Sequence, residues 1–174
     1  MFTAAILCSA VLAIGMPNAE RACQHMELVV EVSEREDIKP EVLIALIHTE
    51  SRWKPRVVSR ANACGLTQVI PKWTGGRASG KVKYTCEGLK NPETSIRAGG
   101  KIFSFWLHNY AGCEIERCKE RHYRVGLCGY NAGYRCKGKK PLRAGMRYSR
   151  IVLKKSKQIR DAATKILQRG SVDL

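Results

Sequence analysis

A single carboxylic acid stands where an apolar run gives out, in Ala45-Leu-Ile-His-Thr-Glu50-Ser51-Arg-Trp53. Two later segments, Gly65-Leu66-Thr67-Gln68 and Tyr130-Asn131-Ala132-Gly133, offer amides, a hydroxyl and a phenol that can bind sugar hydroxyls or N-acetyl groups. An acid in apolar surroundings keeps its proton to higher pH, because burial penalises the charged form. Such an acid can protonate a leaving oxygen, which is the requirement for breaking a glycosidic bond while positive charge develops on the sugar. Alone, Glu50 would read as a solvated helix-end residue; the ordered segments after it make it the candidate acid.

The elements that must position these residues are helical. Met26 to Glu36 carries apolar residues at Met26, Leu28, Val29, Val30 and Val32, and Asp37-Ile-Lys-Pro40 then supplies a cap and a proline suited to a first helical turn. The next helix is expected from about Pro40 to Ser51, with Val42, Leu43, Ala45, Leu46 and Ile47 making it a buried one. Pro55 disfavours helical geometry just before it, so the helix must stop near Glu50. A glycine-rich basic loop is expected over Gly75 to Lys83. Asn91-Pro92 opens a helix through Leu107, and later helices are expected from about Glu116 to Tyr130 and from Met146 to Leu167. No repeat, long linker or strand pattern emerges. A length of 174 residues with 44% hydrophobic content suits one domain with its own core, so the fold class is all-α.

Met1 to Met16 is small and apolar without a charge, and Pro17-Asn18-Ala19 breaks the run. This reads as the core and cleavage region of a secretory signal peptide cut after Ala19 or Ala22, which makes 1–22 a leader and 23–174 the domain. The run is shorter than the ~20 apolar residues that span a bilayer. Eight cysteines suit an oxidising compartment. Close spacing favours Cys113 with Cys118 and Cys128 with Cys136, and next Cys64 with Cys86, although spacing does not fix connectivity. If Cys8 leaves with a leader, seven cysteines remain and one is unpaired. His108, Cys113, Cys118 and His122 do not reproduce a zinc-knuckle spacing, so disulfides outweigh zinc and no metal or cofactor is expected.

In order and spacing, these motifs resemble the soluble lytic transglycosylase family of the lysozyme-like superfamily. In that family a Glu-Ser pair closes the catalytic helix, a Gly-Leu-Met-Gln segment lines the cleft, an Asn-Pro or Asp-Pro opens a later helix, and a Tyr-Asn-Ala-Gly turn completes the site. Here the matching residues are Glu50-Ser51, Gly65 to Gln68, Asn91-Pro92 with Gly99-Gly100 downstream, and Tyr130 to Gly133, over roughly 28–152. The resemblance implies cleavage of peptidoglycan glycan strands, with Glu50 as the single acid and base, and a 1,6-anhydro muramoyl end. No second catalytic carboxylate is required, and no Asp lies between Asp37 and Asp161. By the same resemblance Gln68 and Asn131 bind sugar, Tyr130 stacks on it or orients Glu50, Tyr148 lies near the acid, and Ser51 holds the carboxyl or caps the helix. Thr67 stands in the usual methionine place, so an apolar contact to the sugar is expected to be lost. His48, two positions before the acid, reads as structural. Trp53, Trp73 and Trp106 read as ordinary packed tryptophans.

The charge balance is 31 Lys+Arg against 15 Asp+Glu, a net +16 with pI near 9.8. Such a surface attracts nucleic acid, acidic lipid or anionic wall polymer, and charge alone does not choose among them. Two other readings compete. A basic nucleic-acid-binding module, drawing on Lys137-Gly-Lys-Lys140 and Lys154-Lys-Ser-Lys157, would not depend on Glu50; the leader and the cysteines argue against it, and no specific nucleic acid is expected as a partner. A goose-type lysozyme-like hydrolase would use water in place of the substrate hydroxyl. Export to the periplasm or cell envelope is expected, and a secretion, conjugation or virion assembly could localise so small a module.

Overall fold

The computed structural model describes residues 2–74, 84–115, 117–137 and 140–170. Eight α-helices are found among them: α1 Ala4–Ala13, α2 Ala19–Cys23, α3 Met26–Arg35, α4 Pro40–Ser51, α5 Cys86–Leu89, α6 Pro92–Ser104, α7 Glu120–Ala132 and α8 Arg143–Gly170. No strand occurs among the described residues, only isolated bridges joining Cys64 to Val58 and to Val69. The all-α expectation holds. The expected basic loop over Gly75 to Lys83 lies outside the described residues, as does part of the Lys137 to Lys140 cluster.

The fold is organised around α4. Its proline occupies the first turn, where a missing N–H costs nothing. Leu43, Ile44, Ala45, Leu46 and Ile47 are all fully buried, so the helix is apolar on every side and needs partners all round. Helix α8 crosses it in the opposite sense, since Tyr148 meets Glu50 at one end while Arg160 shares a groove with Lys39 at the other. Helices α1 and α7 flank α8, and α3 packs against α4 and against α6. Across that last contact Arg97 grips the Glu31 carboxylate with two hydrogen bonds, at 2.6 and 3.1 Å.

Several boundaries follow local chemistry. Asn91 caps α6 by accepting from the Thr94 amide at 3.0 Å, with Pro92 in the first turn. The helix expected to run from there through Leu107 changes pitch instead, becoming a wide π turn over Phe105–Tyr110. That turn packs against the glycine face of α7, where a Cβ on Gly126 or Gly129 would press on Leu107 or Trp106. The last helix is longer than its expected span, and α7 starts at Glu120, four residues later than expected.

The apolar N-terminal segment is folded as α1. Leu7, Ala10 and Val11 are fully buried, and Cys8 is bonded to Cys23. The three pairs favoured by spacing form as expected, Cys64–Cys86, Cys113–Cys118 and Cys128–Cys136. With Cys8 in place no described cysteine is free; the odd count expected for a chain lacking Cys8 would leave Cys23 without its partner. His108 lies with Cys113 and Cys118 in one cluster, but those cysteines are bonded to each other and His122 accepts from the Lys119 amide.

Candidate active site

The end of α4 is set by backbone geometry. Arg52 and Trp53 both take left-handed conformations, with φ of 50° and 61°. Non-glycine residues rarely do so without support. Support comes from α2 and the residue before it: the Asn18 side-chain amide donates to the Arg52 carbonyl at 2.9 Å, and Arg21 donates to the Trp53 carbonyl at 3.3 Å. Trp53 is fully buried, as its reading as a packing residue requires. The chain thus turns sharply just past Glu50 and leaves that carboxyl at the helix end.

Burial pushes the Glu50 carboxyl up to about 7, against an ordinary value of 4.5. The Tyr148 phenol donates to Oε1 at 2.5 Å and pulls in the other direction, because that bond favours the carboxylate, but burial dominates. Tyr148 and Tyr130 are both partly buried; desolvation raises their phenols, and the nearby Glu50 charge raises them further. Near neutral pH the site therefore holds one poised acid between two phenols that stay neutral. Tyr148 is the partner the resemblance implied.

Tyr130 occupies the last turn of α7, and Gly133, with φ of 70°, closes that helix. The Tyr-Asn-Ala-Gly segment is thus mostly helix, not turn. The Tyr130 hydroxyl donates to the Thr67 carbonyl at 2.7 Å, and the Phe103 ring meets its ring edge-on at 6.0 Å. A phenol so engaged orients one wall against the other. Asn131 is exposed, on a different side of the helix.

The Gly65 to Gln68 turn supplies the other wall. Gly65 has φ of 77°, and a Cβ there would fall 1.8 Å from the Leu89 carbonyl oxygen, so only glycine fits. Gln68 is also left-handed, φ 51°, and its amide nitrogen donates to the Val57 and Gly65 carbonyls at 3.0 Å each. That nitrogen holds the turn. The side chain is partly exposed.

Thr67 is turned inward, away from solvent. It is fully buried, its hydroxyl donates to the Ser95 carbonyl at 2.8 Å, and its amide donates to the Ser95 hydroxyl at 3.1 Å. Gly99 makes room for it, since a Cβ there would come within 2.4 Å of the threonine side chain. Thr67 locks the wall to α6 and presents its carbonyl to Tyr130. Ser95, which sequence reasoning passed over, follows Asn91-Pro92 by three positions, and this spacing was the available signal.

Ser51 is buried, and its hydroxyl donates to the Ile47 carbonyl at 3.2 Å. That bond lies within α4 and does not involve the Glu50 carboxyl. His48 is buried too; burial first, then the nearby Lys155 and Arg52 charges, lower it to about 4, so it is neutral at neutral pH. Lys155 reaches the Thr49 hydroxyl at 3.3 Å from α8. Trp106 is packed as expected, but Trp73 is 64% exposed and does not fit the reading of a buried tryptophan.

The site is thus one partly buried acid at a helix end, met by the Tyr148 phenol and near that of Tyr130, in an all-α domain. The chain belongs to the transglycosylase SLT domain family, whose model matches residues 27–151. It is 35% identical over 120 residues to membrane-bound lytic murein transglycosylase C of Pectobacterium atrosepticum, covering 66% of this chain and 32% of that protein. The protein of the same name from Yersinia pestis is 32% identical over 119 residues, with the same shares covered. The chain thus spans about a third of the length of these relatives. Among solved structures, the 70 kDa soluble lytic transglycosylase of Escherichia coli aligns with a TM-score of 0.63 at 18% identity, over 88% of this chain and 29% of that one. An inactive mutant of lytic transglycosylase Slt from Pseudomonas aeruginosa aligns with a TM-score of 0.59 at 18% identity, over 85% and 28%. These two likenesses establish the fold.

Proposed function

We propose that this domain is a peptidoglycan lytic transglycosylase that cleaves the MurNAc-GlcNAc β-1,4 bond with Glu50 as its only acid and base. The observation that carries the reading is the Glu50 carboxyl, raised to about 7 by burial and met by the Tyr148 phenol. Because Tyr148 donates to Oε1, that oxygen is the acceptor of the protonated acid and the proton resides on Oε2. Glu50 gives this proton to the leaving glycosidic oxygen as the bond to the anomeric carbon breaks. The carboxylate then takes the proton of the muramoyl 6-hydroxyl as that oxygen bonds to the anomeric carbon. The ring closes to a 1,6-anhydro end, Glu50 regains its proton, and no water is consumed.

Tyr130 and Tyr148 position the acid in this reading. Gln68, whose amide oxygen is not engaged by the bonds that hold its nitrogen, and the exposed Asn131 contact the sugars. Ser51 serves by closing the helix. Mass spectrometry of fragments released from purified peptidoglycan by the wild type and by Glu50→Gln tests the proposal. Anhydromuramoyl ends that vanish in the variant support it; reducing muramic ends would reassign the domain to lysozyme-like hydrolysis.

The paired cysteines and the relatives' printed description as membrane-bound support a place in the cell envelope, reached by export. No helix among the described residues is long and apolar enough to cross a membrane. Thiol alkylation followed by intact-mass measurement reads the fate of the apolar segment. A chain retaining Cys8 has no alkylatable thiol, whereas one cut after Ala19 or Ala22 exposes Cys23. Localisation by a secretion, conjugation or virion assembly completes the proposal, and purification from the native source without any co-migrating partner would contradict that part.

A further inference from the structure

A well-formed groove lies away from Glu50. It lies at the other end of α4, where the first turn of α4, the start of α7 and the middle of α8 enclose about 560 Å³. Ten residues of helix, about 15 Å, separate Pro40 from Glu50. Lys39, Arg124, Arg150, Lys154, Lys157 and Arg160 line this groove, against the carboxylates of Glu41 and Glu120. Glu41 is only 4% exposed, and Glu120 is engaged by Arg124 at 3.5 Å. Lys157 pairs with Asp161, whereas Lys39, Lys154 and Arg160 make no ion pair among the described residues. The floor is different in kind, made of Val42, Tyr123 and Leu153. A second hollow of about 480 Å³ shares Lys39 and Arg160 with the first and continues the apolar lining through Phe2 and Ile38.

A cationic rim over an apolar floor is complementary to an amphiphilic anion. A phosphate head satisfies the rim, and the glycerol and first acyl carbons cover the floor. A nucleic-acid backbone or a carboxylated glycan would meet the rim but leave the floor wet. We propose that this groove seats the head group of an anionic phospholipid and holds the domain against a membrane surface. The catalytic end of α4 then lies about 15 Å from the attachment point, free to engage a glycan strand. The larger hollow requires no residue ahead of Lys39, so the attachment does not depend on the N-terminal helix.

Co-sedimentation of the full chain with vesicles tests this, using phosphatidylglycerol in phosphatidylcholine against phosphatidylcholine alone. Binding is expected only to the anionic vesicles and is expected to weaken with salt. Lys154→Glu/Arg160→Glu is expected to weaken partition at least about tenfold, since each basic residue near an anionic surface contributes appreciably. Lys101→Glu/Lys165→Glu makes the same change in net charge outside the groove and is expected to bind within about threefold of wild type. Equal loss in both variants would reduce the effect to net charge and overturn the site. Tighter binding to duplex DNA than to the vesicles, impaired by the same groove variant, would overturn the lipid assignment. Cleavage of soluble glycan by the groove variant is expected at the wild-type rate, which separates failure here from failure of the proposed activity.

Discussion

Glu41 and Glu50 are carried by the same helix but meet different surroundings, Glu41 buried and Glu50 partly so. They are nine residues apart, two and a half turns, so they face opposite sides of α4. Glu41 looks into a groove rimmed by lysine and arginine. Glu50 meets the Tyr148 phenol, with that of Tyr130 near by, and burial is the largest influence on its proton. Glu50 combines a proton affinity raised by burial with a neutral phenol that donates to one oxygen.

The sharpest way to break this comparison is to neutralise each carboxyl in turn. Glu50→Gln is expected to lower glycan cleavage by at least about a thousandfold, within the range of a lost general acid, whereas Glu41→Gln should stay within about threefold in the same turnover assay. Comparable losses would mean that the two ends are not distinct.

The raised proton affinity of Glu50 also has a stability consequence with a definite sign. Its folded-state value lies above the ordinary one, so the contribution to stability is complete below about pH 4.5 and is lost as pH rises through about 7. Above pH 7, Glu50→Gln should therefore be more stable than wild type by roughly 3 kcal/mol, with the gap closing towards pH 4. Denaturant titrations of both proteins at a series of pH values would read this, and a gap independent of pH would contradict it.

The wall opposite α8 offers the next test. Thr67→Val keeps the shape but removes the hydroxyl that donates to Ser95, and should cost about 1–3 kcal/mol of stability. Chemical denaturation measures it. If Thr67 instead served the sugar, stability would be unchanged and only KM would move.

The smallest expected effect is that of Tyr148→Phe. It removes a donor that favours the Glu50 carboxylate, so Glu50 should hold its proton to higher pH. The falling alkaline limb of the pH-rate profile should move upward, with activity reduced roughly tenfold at its optimum. A limb that moved downward would reverse the assigned role of the phenol.

Much of this was legible in the residues. The apolar run before Glu50, the proline that ends it, the Asn91-Pro92 cap and three of the cysteine pairs all depend on neighbours close in sequence. Tyr148 was legible only through the family resemblance, because its partner lies 98 positions away. The packing of Thr67 was not legible for the same reason. Its role is fixed by Ser95 and Gly99, which meet it only once α6 has packed, and a pattern along the chain cannot reveal that a hydroxyl is already satisfied. The apolar segment ahead of Pro17 carries no helical stripe that distinguishes a leader from a core helix; its packing on α8 and the bond from Cys8 to Cys23 depend on partners that its own residues do not reveal. The pitch change after Ser104 likewise arises from close packing against Gly126 and Gly129, not from any local breaker.

The most direct test of the central claim is a carbon NMR titration of glutamate side-chain carboxyls labelled with carbon-13, recorded for the wild type and for Glu50→Gln. One resonance missing from the variant is expected to titrate in the wild type near pH 7. A missing resonance that titrates near the ordinary 4.5 would show Glu50 to be an ionised surface carboxylate at neutral pH, and the account of a single poised acid would fail.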